Sequence, residues 1–236
     1  MLLVAIVLVS LLLGACLNLL IDRLPRRQVL FERPHCSSCG VIRSNISLLP
    51  VVGWLLSHGR CQSCGSSYPR RALIIEIGLP LAGIALWYRD GVDVHLLLQL
   101  LFAAYFMAIV AIDLEHRLVL NRMTAAGLLA AFVIAAVGLG PSLPESIAGA
   151  VIGFLFLWIP SLLLPGMGMG DVKLAAVIGA IVGSSYVLTA LTLGVLVGGV
   201  VAAFLLISRR IERRGSMAYA PSLVAGVALV LFGVVR

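Results

Sequence analysis

Apolar residues fill this chain in long unbroken runs, separated by short polar breaks. The runs are about 17–20 residues long, and as a helix each can cross a hydrocarbon core of about 30 Å. The pattern predicts eight helical spans, at roughly 2–21, 72–88, 94–112, 122–139, 146–164, 172–188, 189–207 and 218–235. The sixth and seventh share one apolar stretch, which the Gly183-Ser184-Ser185 step divides. The expected fold is an all-α polytopic membrane protein of about eight transmembrane helices. Its one polar stretch large enough to fold lies between the first two.

Composition strengthens this picture. The chain is 61% hydrophobic and 11% charged, whereas a soluble domain is nearer half apolar and a quarter charged. The net charge of +7 does not point to nucleic acid, because the arginines sit in short loops between apolar runs. Under the eight-span reading, Arg89 and Arg236 fall on one side and the other fifteen of the 17 basic residues on the opposite side. The positive-inside rule makes the basic side cytoplasmic and puts both termini outside. Such a basic face also suits anionic lipid head groups.

The first apolar run contains Leu13-Gly14-Ala15-Cys16, which resembles a lipoprotein cleavage box. No basic residue precedes it, and Arg23, Arg26 and Arg27 follow it. That charge order favours a retained span over a signal peptide. Cys16 then reads as a small buried apolar residue. The expected organisation is a first helix (1–21), a cytoplasmic segment (22–71) and a membrane domain of seven spans (72–236).

The segment 22–71 carries two CxxC pairs, Cys36/Cys39 and Cys61/Cys64, about 21 residues apart. Four thiolates from two tight turns bind Zn²⁺ tetrahedrally, and the spacing is close to that of known zinc sites. A loop of this size has little apolar core, and a structural metal compensates. Four sulfurs leave no open coordination position, so the expected Zn²⁺ is structural. A disulfide pair is the competing reading, disfavoured in a reducing compartment. His35 and His58 lie beside the knuckles as substitute ligands that four cysteines make unnecessary.

Asp113 and Asp171 stand at the ends of apolar runs, in AIDLEHRLVLN and GMGMGDVKLAA. A carboxylate near hydrocarbon is expensive and by default marks a functional site. Both fall at cytoplasmic helix ends, at one depth, where they could face each other. Gly166, Gly168 and Gly170 precede Asp171 and let the backbone leave helical geometry, which is tolerated at membrane depth only inside protein or beside a wet cavity. Two carboxylates sharing a site hold one proton between them. One member can then deprotonate an attacking water while the other polarises a carbonyl. Two plainer readings stand beside this one. Asp113, followed by Glu115, His116 and Arg117, could lie in a solvated loop, and Asp171 could be a favourable helix-start charge. Intramembrane carboxylates also serve ion paths.

Taken together, these residues resemble the type IV prepilin peptidases, the bifunctional leader peptidase/N-methyltransferase family. The resemblance runs in order through Gly14-Ala15-Cys16-Leu17-Asn18, Asp22-Arg23-Leu24-Pro25, both CxxC knuckles, Leu49-Pro50-Val51-Val52-Gly53-Trp54-Leu55, Gly59-Arg60-Cys61 and Tyr68-Pro69 through Glu76. Asp113 matches the family's first catalytic aspartate, and Gly168-Met169-Gly170-Asp171-Val172-Lys173 its GxGD motif, with Gly168, Gly170 and Lys173 in the active-site loop. The resemblance implies a GxGD membrane aspartic protease of the bacterial inner membrane, its active site facing the cytoplasm. Such an enzyme cuts a basic leader from type IV prepilins or pseudopilins after a glycine, then methylates the new amine with S-adenosylmethionine. It also implies a link between Glu76 and methyl transfer, against which stands a carboxylate paired with Arg70 or Arg71. The lipid bilayer and the prepilin are the implied partners, with no nucleic acid.

The chain departs from the family pattern in two places. Val119-Leu120-Asn121 stands where the family often has Leu/Ile-Pro-Asp, and Ala218-Tyr219-Ala220-Pro221 where it has Pro-Phe-Gly-Pro. Only Pro221 and the later Gly226 are kept. The competing function is a cation-coupled transporter using the same two aspartates. That reading expects internal repeats, which the chain does not display, and gives the cysteines no task. A non-catalytic zinc-stapled scaffold is the third.

Overall fold

In hydrocarbon a backbone must satisfy its own hydrogen bonds, and a helix does so within one segment. The computed structural model is helical accordingly. It describes residues 1–26, 28–29, 35–36, 38–42, 49–163, 168–208, 218–231 and 233. Gly166 and the basic residues Arg27, Arg33, Arg43, Arg209, Arg210, Arg213, Arg214 and Arg236 lie outside the described residues.

The helices are α1 (Leu2–Arg23), the short α2 (Val52–Leu56), α3 (Arg71–Asp90), α4 (Val94–His116), α5 (Asn121–Ala136), α6 (Leu143–Leu163), α7 (Met169–Val182), α8 (Val187–Ile207) and α9 (Ala220–Leu231). Eight of them follow the order of the expected spans. Five, namely α1, α3, α4, α6 and α8, are long and apolar enough to cross a membrane. Helices α5, α7 and α9 are shorter, at 16, 14 and 12 residues. Among the described residues there is no strand, only the isolated bridges His35–Ile42 and Arg60–Ser67. Helix α7 stops at Gly183, which adopts φ 77°, at the Gly183-Ser184-Ser185 step expected to divide the two spans, although the expected bounds carried the first of them on to 188. Helix α4 runs past Asp113 to His116, so Asp113 lies on a helix and not in a solvated loop.

The chain packs as two compact units, Met1–Ala111 and Ile112–Arg236. In the first, α1 lies on α3 through a stripe of Ser10, Gly14, Leu17, Asn18 and Ile21. Those positions recur at helical spacing, so they share a face. A Cβ on Gly14 would stand 3.3 Å from the Glu76 Cα, a measure of how closely the helices approach. Cys16 lies off this stripe and is exposed, which corrects the expectation that it is buried.

In the second unit, α7 is the core helix. Val172, Leu174, Ala175, Val177 and Ile178 are all buried, the mark of a helix apolar on every side. Lipid is as apolar as leucine, so nothing hydrophobic pushes membrane helices together, and close packing has to hold them. Helices α6 and α7 meet backbone to backbone: a Cβ on Gly149 would collide with the Gly179 carbonyl, and one on Gly179 with that of Gly149. The Ser146 hydroxyl donates to the Ala180 carbonyl at 2.8 Å across the same interface. Gly194 and Gly198 of α8 bear in the same way on Leu223 and Tyr219. The spaced pairs Gly149/Gly153 and Gly194/Gly198 are thus both used in internal packing.

Candidate functional sites: a cysteine cluster and an aspartate pair

The two cysteine turns are built alike. Each reads Cys-x-x-Cys-Gly. Gly40 and Gly65 take φ of 72° and 71°, a region open to glycine at little cost. Their amides donate to the Cys36 and Cys61 carbonyls, both at 2.9 Å. The Cys36 and Cys61 amides close the turns from the other side, donating to the Val41 and Ser66 carbonyls at 2.9 and 2.8 Å. The repeated glycine is a signal that reading the cysteines alone overlooks.

The four sulfurs lie within 4.8 Å of one another. Cys36 and Cys64 are 3.7 Å apart, and Cys39 and Cys61 3.9 Å. A tetrahedron with Zn–S of about 2.3 Å has S···S edges of about 3.8 Å, so the set fits Zn²⁺. All four cysteines are free thiols, and the disulfide reading is set aside. The charges also ask for a cation. The Ser66 hydroxyl, with the Ser38 and Cys39 amides behind it, pushes Cys36 down to about 5. A Val41 backbone hydrogen bond lowers Cys39, but the thiol of Cys64, burial and the other cysteines outweigh it and push Cys39 up to about 12. Thiolates this close resist ionising together, and a bound Zn²⁺ removes that conflict.

Glu76 lies on α3 in the same unit. Its Oε1 accepts from Asn18 Nδ2 at 3.0 Å and its Oε2 from the Val51 amide at 2.6 Å. Asn18 Nδ2 also donates to the Ala72 carbonyl at 3.0 Å. Two acceptors around that nitrogen fix the amide's orientation and leave Asn18 Oδ1 buried without a partner among the described residues. Arg71 bonds to Asp22. The carboxylate is thus a bridge from α1 to the segment entering α2, a role the sequence did not disclose.

The aspartate pair lies in the second unit. Asp113 sits one turn before the end of α4 and is 4% exposed. Asp171 opens α7, whose N-cap is Gly168 in extended geometry. The Asp171 amide donates to the Gly168 carbonyl at 3.1 Å. The two carboxylates are near enough for the charge of Asp113 to act on Asp171. Asp113 Oδ2 accepts from the amide of Ala220 at 3.0 Å, at the start of α9. Tyr219 stands close enough to feel the charge of Asp171. A Cβ on Gly170 would approach Val119 Cβ to 2.9 Å, so the GxGD loop lies flat against the chain entering α5. Lys173 donates to Asn121 Oδ1 at 2.8 Å. The ends of α4, α5, α7 and α9 therefore converge.

Sequence reasoning paired the aspartates but missed the Ala220 amide and the Asn121 acceptor. Both lie in the two stretches noted as departures from the family pattern.

Residues 100–203 match the type IV leader peptidase family and residues 8–89 the bacterial peptidase A24 N-terminal domain. A prepilin leader peptidase/N-methyltransferase of Pseudomonas putida is 31% identical over 206 residues, covering 84% of this chain and 72% of the relative. One from Bacillus subtilis is 30% identical over 213 residues, covering 87% and 84%. One from Pseudomonas aeruginosa is 28% identical over 259 residues, covering 96% and 89%. No solved structure matches the chain. With the two family matches in chain order and relatives aligned across most of both lengths, this chain belongs to the type IV leader peptidase family, that of the prepilin peptidases.

Proposed function

We propose that the chain is a membrane aspartic endopeptidase that removes the leader of type IV prepilins or pseudopilins and then N-methylates the new terminus. The observation that carries this reading is the convergence of the helix ends that bear the two aspartates, with Asp113 oriented by the Ala220 amide and the Gly170-Asp171 step lying against Val119. One proton resides on the pair, which titrates as a unit. The ionised member takes a proton from water as its oxygen attacks the peptide carbonyl. The protonated member donates to that carbonyl oxygen. The tetrahedral adduct then collapses, and the leaving amine takes up a proton.

The remaining expectations belong to the same reading. Eight helices cross the bacterial inner membrane, α5, α7 and α9 among them. The site faces the cytoplasm, where the basic loops gather. The segment 22–71 forms a zinc-stapled module, and 72–236 the membrane peptidase domain. The active-site loop includes Gly168, Gly170 and Lys173.

Methyl transfer draws support from the first unit. Asn18 Oδ1, buried beside Glu76, has no partner among the described residues, and S-adenosylmethionine offers ammonium and hydroxyl donors. Asn18 and Glu76 would hold it, and when bound it supplies the methyl group.

Co-expression with a candidate prepilin, followed by mass spectrometry of the mature N-terminus, tests both activities. Cleavage after the glycine with a mass gain of one methyl is the expected result. A cut but unmethylated amine leaves a peptidase alone. An uncut prepilin beside aspartate-dependent cation flux would replace the enzyme with a transporter.

A further inference from the structure

A cavity of about 350 Å³ lies in the second unit outside the aspartate pair. Ala125 and Leu128 of α5 form one wall, Ala176 and Val177 of α7 the other, and Phe154 of α6 the floor. Asn121 and Lys173 stand at its mouth. The lining positions on α7 are 173, 176 and 177, one face of a helix. Asp171 precedes Lys173 by two residues, so it points about 200° away around the axis. The groove therefore belongs to the opposite face of α7 from the aspartates.

Its chemistry is divided along its length. The walls are apolar over about one turn, apart from Thr124, whose hydroxyl donates to the Asn121 carbonyl at 3.0 Å, and Leu129 and Val133 beside them are exposed apolar side chains, as a lipid-facing surface requires. The mouth is cationic. An ammonium has three donors, and Lys173 gives one to Asn121 Oδ1. That partner is neutral, so the positive charge is positioned without being cancelled. Arg122, next along α5, is also exposed at this end. The first turn of α5 has no side-chain cap, and its amides add positive potential.

From this division we propose that the α5–α7 groove binds one anionic phospholipid, with an acyl chain between Leu128 and Val177 and the phosphate at Lys173. Basic pockets between membrane helices hold such head groups. A zwitterionic lipid fits the walls equally well but gains less at the mouth.

The test uses the full chain in detergent, exchanged into micelles holding phosphatidylglycerol and phosphatidylethanolamine of identical chains, with bound lipid read by native mass spectrometry. One phosphatidylglycerol should be retained in preference. Lys173→Gln should lower that preference about fivefold, the share of one cation near an anionic lipid. Ala125→Trp, at an exposed position that fills the groove, should abolish retention of both lipids while leaving the thermal midpoint unchanged. Equal retention of the two lipids overturns the proposal, as does phosphatidylglycerol retention that survives both substitutions. A photo-crosslinker at position 128 supplies the second arm. Labelling of lipid supports the assignment, whereas labelling of a co-expressed prepilin makes the groove a peptide site and removes the lipid.

Discussion

The cysteine cluster and the aspartate pair are assembled in opposite ways. The sulfurs come from residues 36 to 64, and two short turns with like hydrogen bonds aim them. The aspartate site gathers Asp113, Asp171, Tyr219 and Ala220, and a buried hydrogen bond within it joins residues 107 positions apart. The first can form wherever its turns and a metal meet. The second exists only when four helix ends pack, in a solvent that gives helices little reason to associate. Damage to the first should therefore stay local, whereas damage to the packing should disable the second without touching its carboxylates.

Direct removal of the chemistry is the largest effect expected. Asp113→Asn and Asp171→Asn should each lower leader cleavage by about 10²–10⁴-fold, the usual share of acid–base catalysis, while helical content and bound zinc stay unchanged. Cleavage at the original rate in either variant would defeat the paired mechanism.

The next effect probes assembly. Gly149→Leu forces a side chain against the Gly179 carbonyl, where backbone cannot step aside as a rotamer can. Overpacking costs about 1–3 kcal/mol or more, so the thermal midpoint and cleavage should fall together. Cysteine removal should behave otherwise. Cys61→Ser should lose the zinc and expose the segment 22–71 to limited proteolysis, with the helices from α5 onward protected as before. If instead those helices lose protection at the same protease dose, the two sites are not separable.

This contrast also explains what the sequence revealed. The cysteine cluster was legible because the spacing of its two CxxC pairs carries it. The helix order was legible because apolar runs fix it, and α1, α3, α4, α6 and α8 are long enough to show it. The break at Gly183-Ser184-Ser185 was legible as well, and Gly183 at φ 77° is where α7 ends. Both aspartates were legible because a carboxylate near hydrocarbon is costly. The groups around them were not. The Ala220 donor is a main-chain amide with no residue-type signature, and the Asn121–Lys173 bond spans two helices whose packing no local pattern specifies. Cys16 was misplaced because it was read by residue type and not by its place on α1, off the face that Ser10, Gly14 and Asn18 mark.

The smallest expected effect is at Glu76, and it separates positioning from chemistry. Val51 holds φ 61° and ψ −53°, a region that β-branched residues rarely enter. Its amide is held by Glu76 Oε2 at 2.6 Å, and a hydrogen bond to a charged group contributes about 1.5–3 kcal/mol. Glu76→Gln keeps the size but turns one oxygen into a donor. That donor must face either the Val51 amide or Asn18 Nδ2, both donors themselves. Asn18 can relieve the conflict by flipping, and then it loses its bond to the Ala72 carbonyl. Part of the clamp is lost either way. Amide exchange at Val51 and through α2 should speed up by roughly tenfold, the equivalent of about 1.4 kcal/mol, with zinc retained. Unchanged exchange would show that the bridge holds nothing. A variant that keeps slow exchange yet loses methylation would place Glu76 against the methyl donor itself, while faster exchange with methylation intact would confine it to holding the chain.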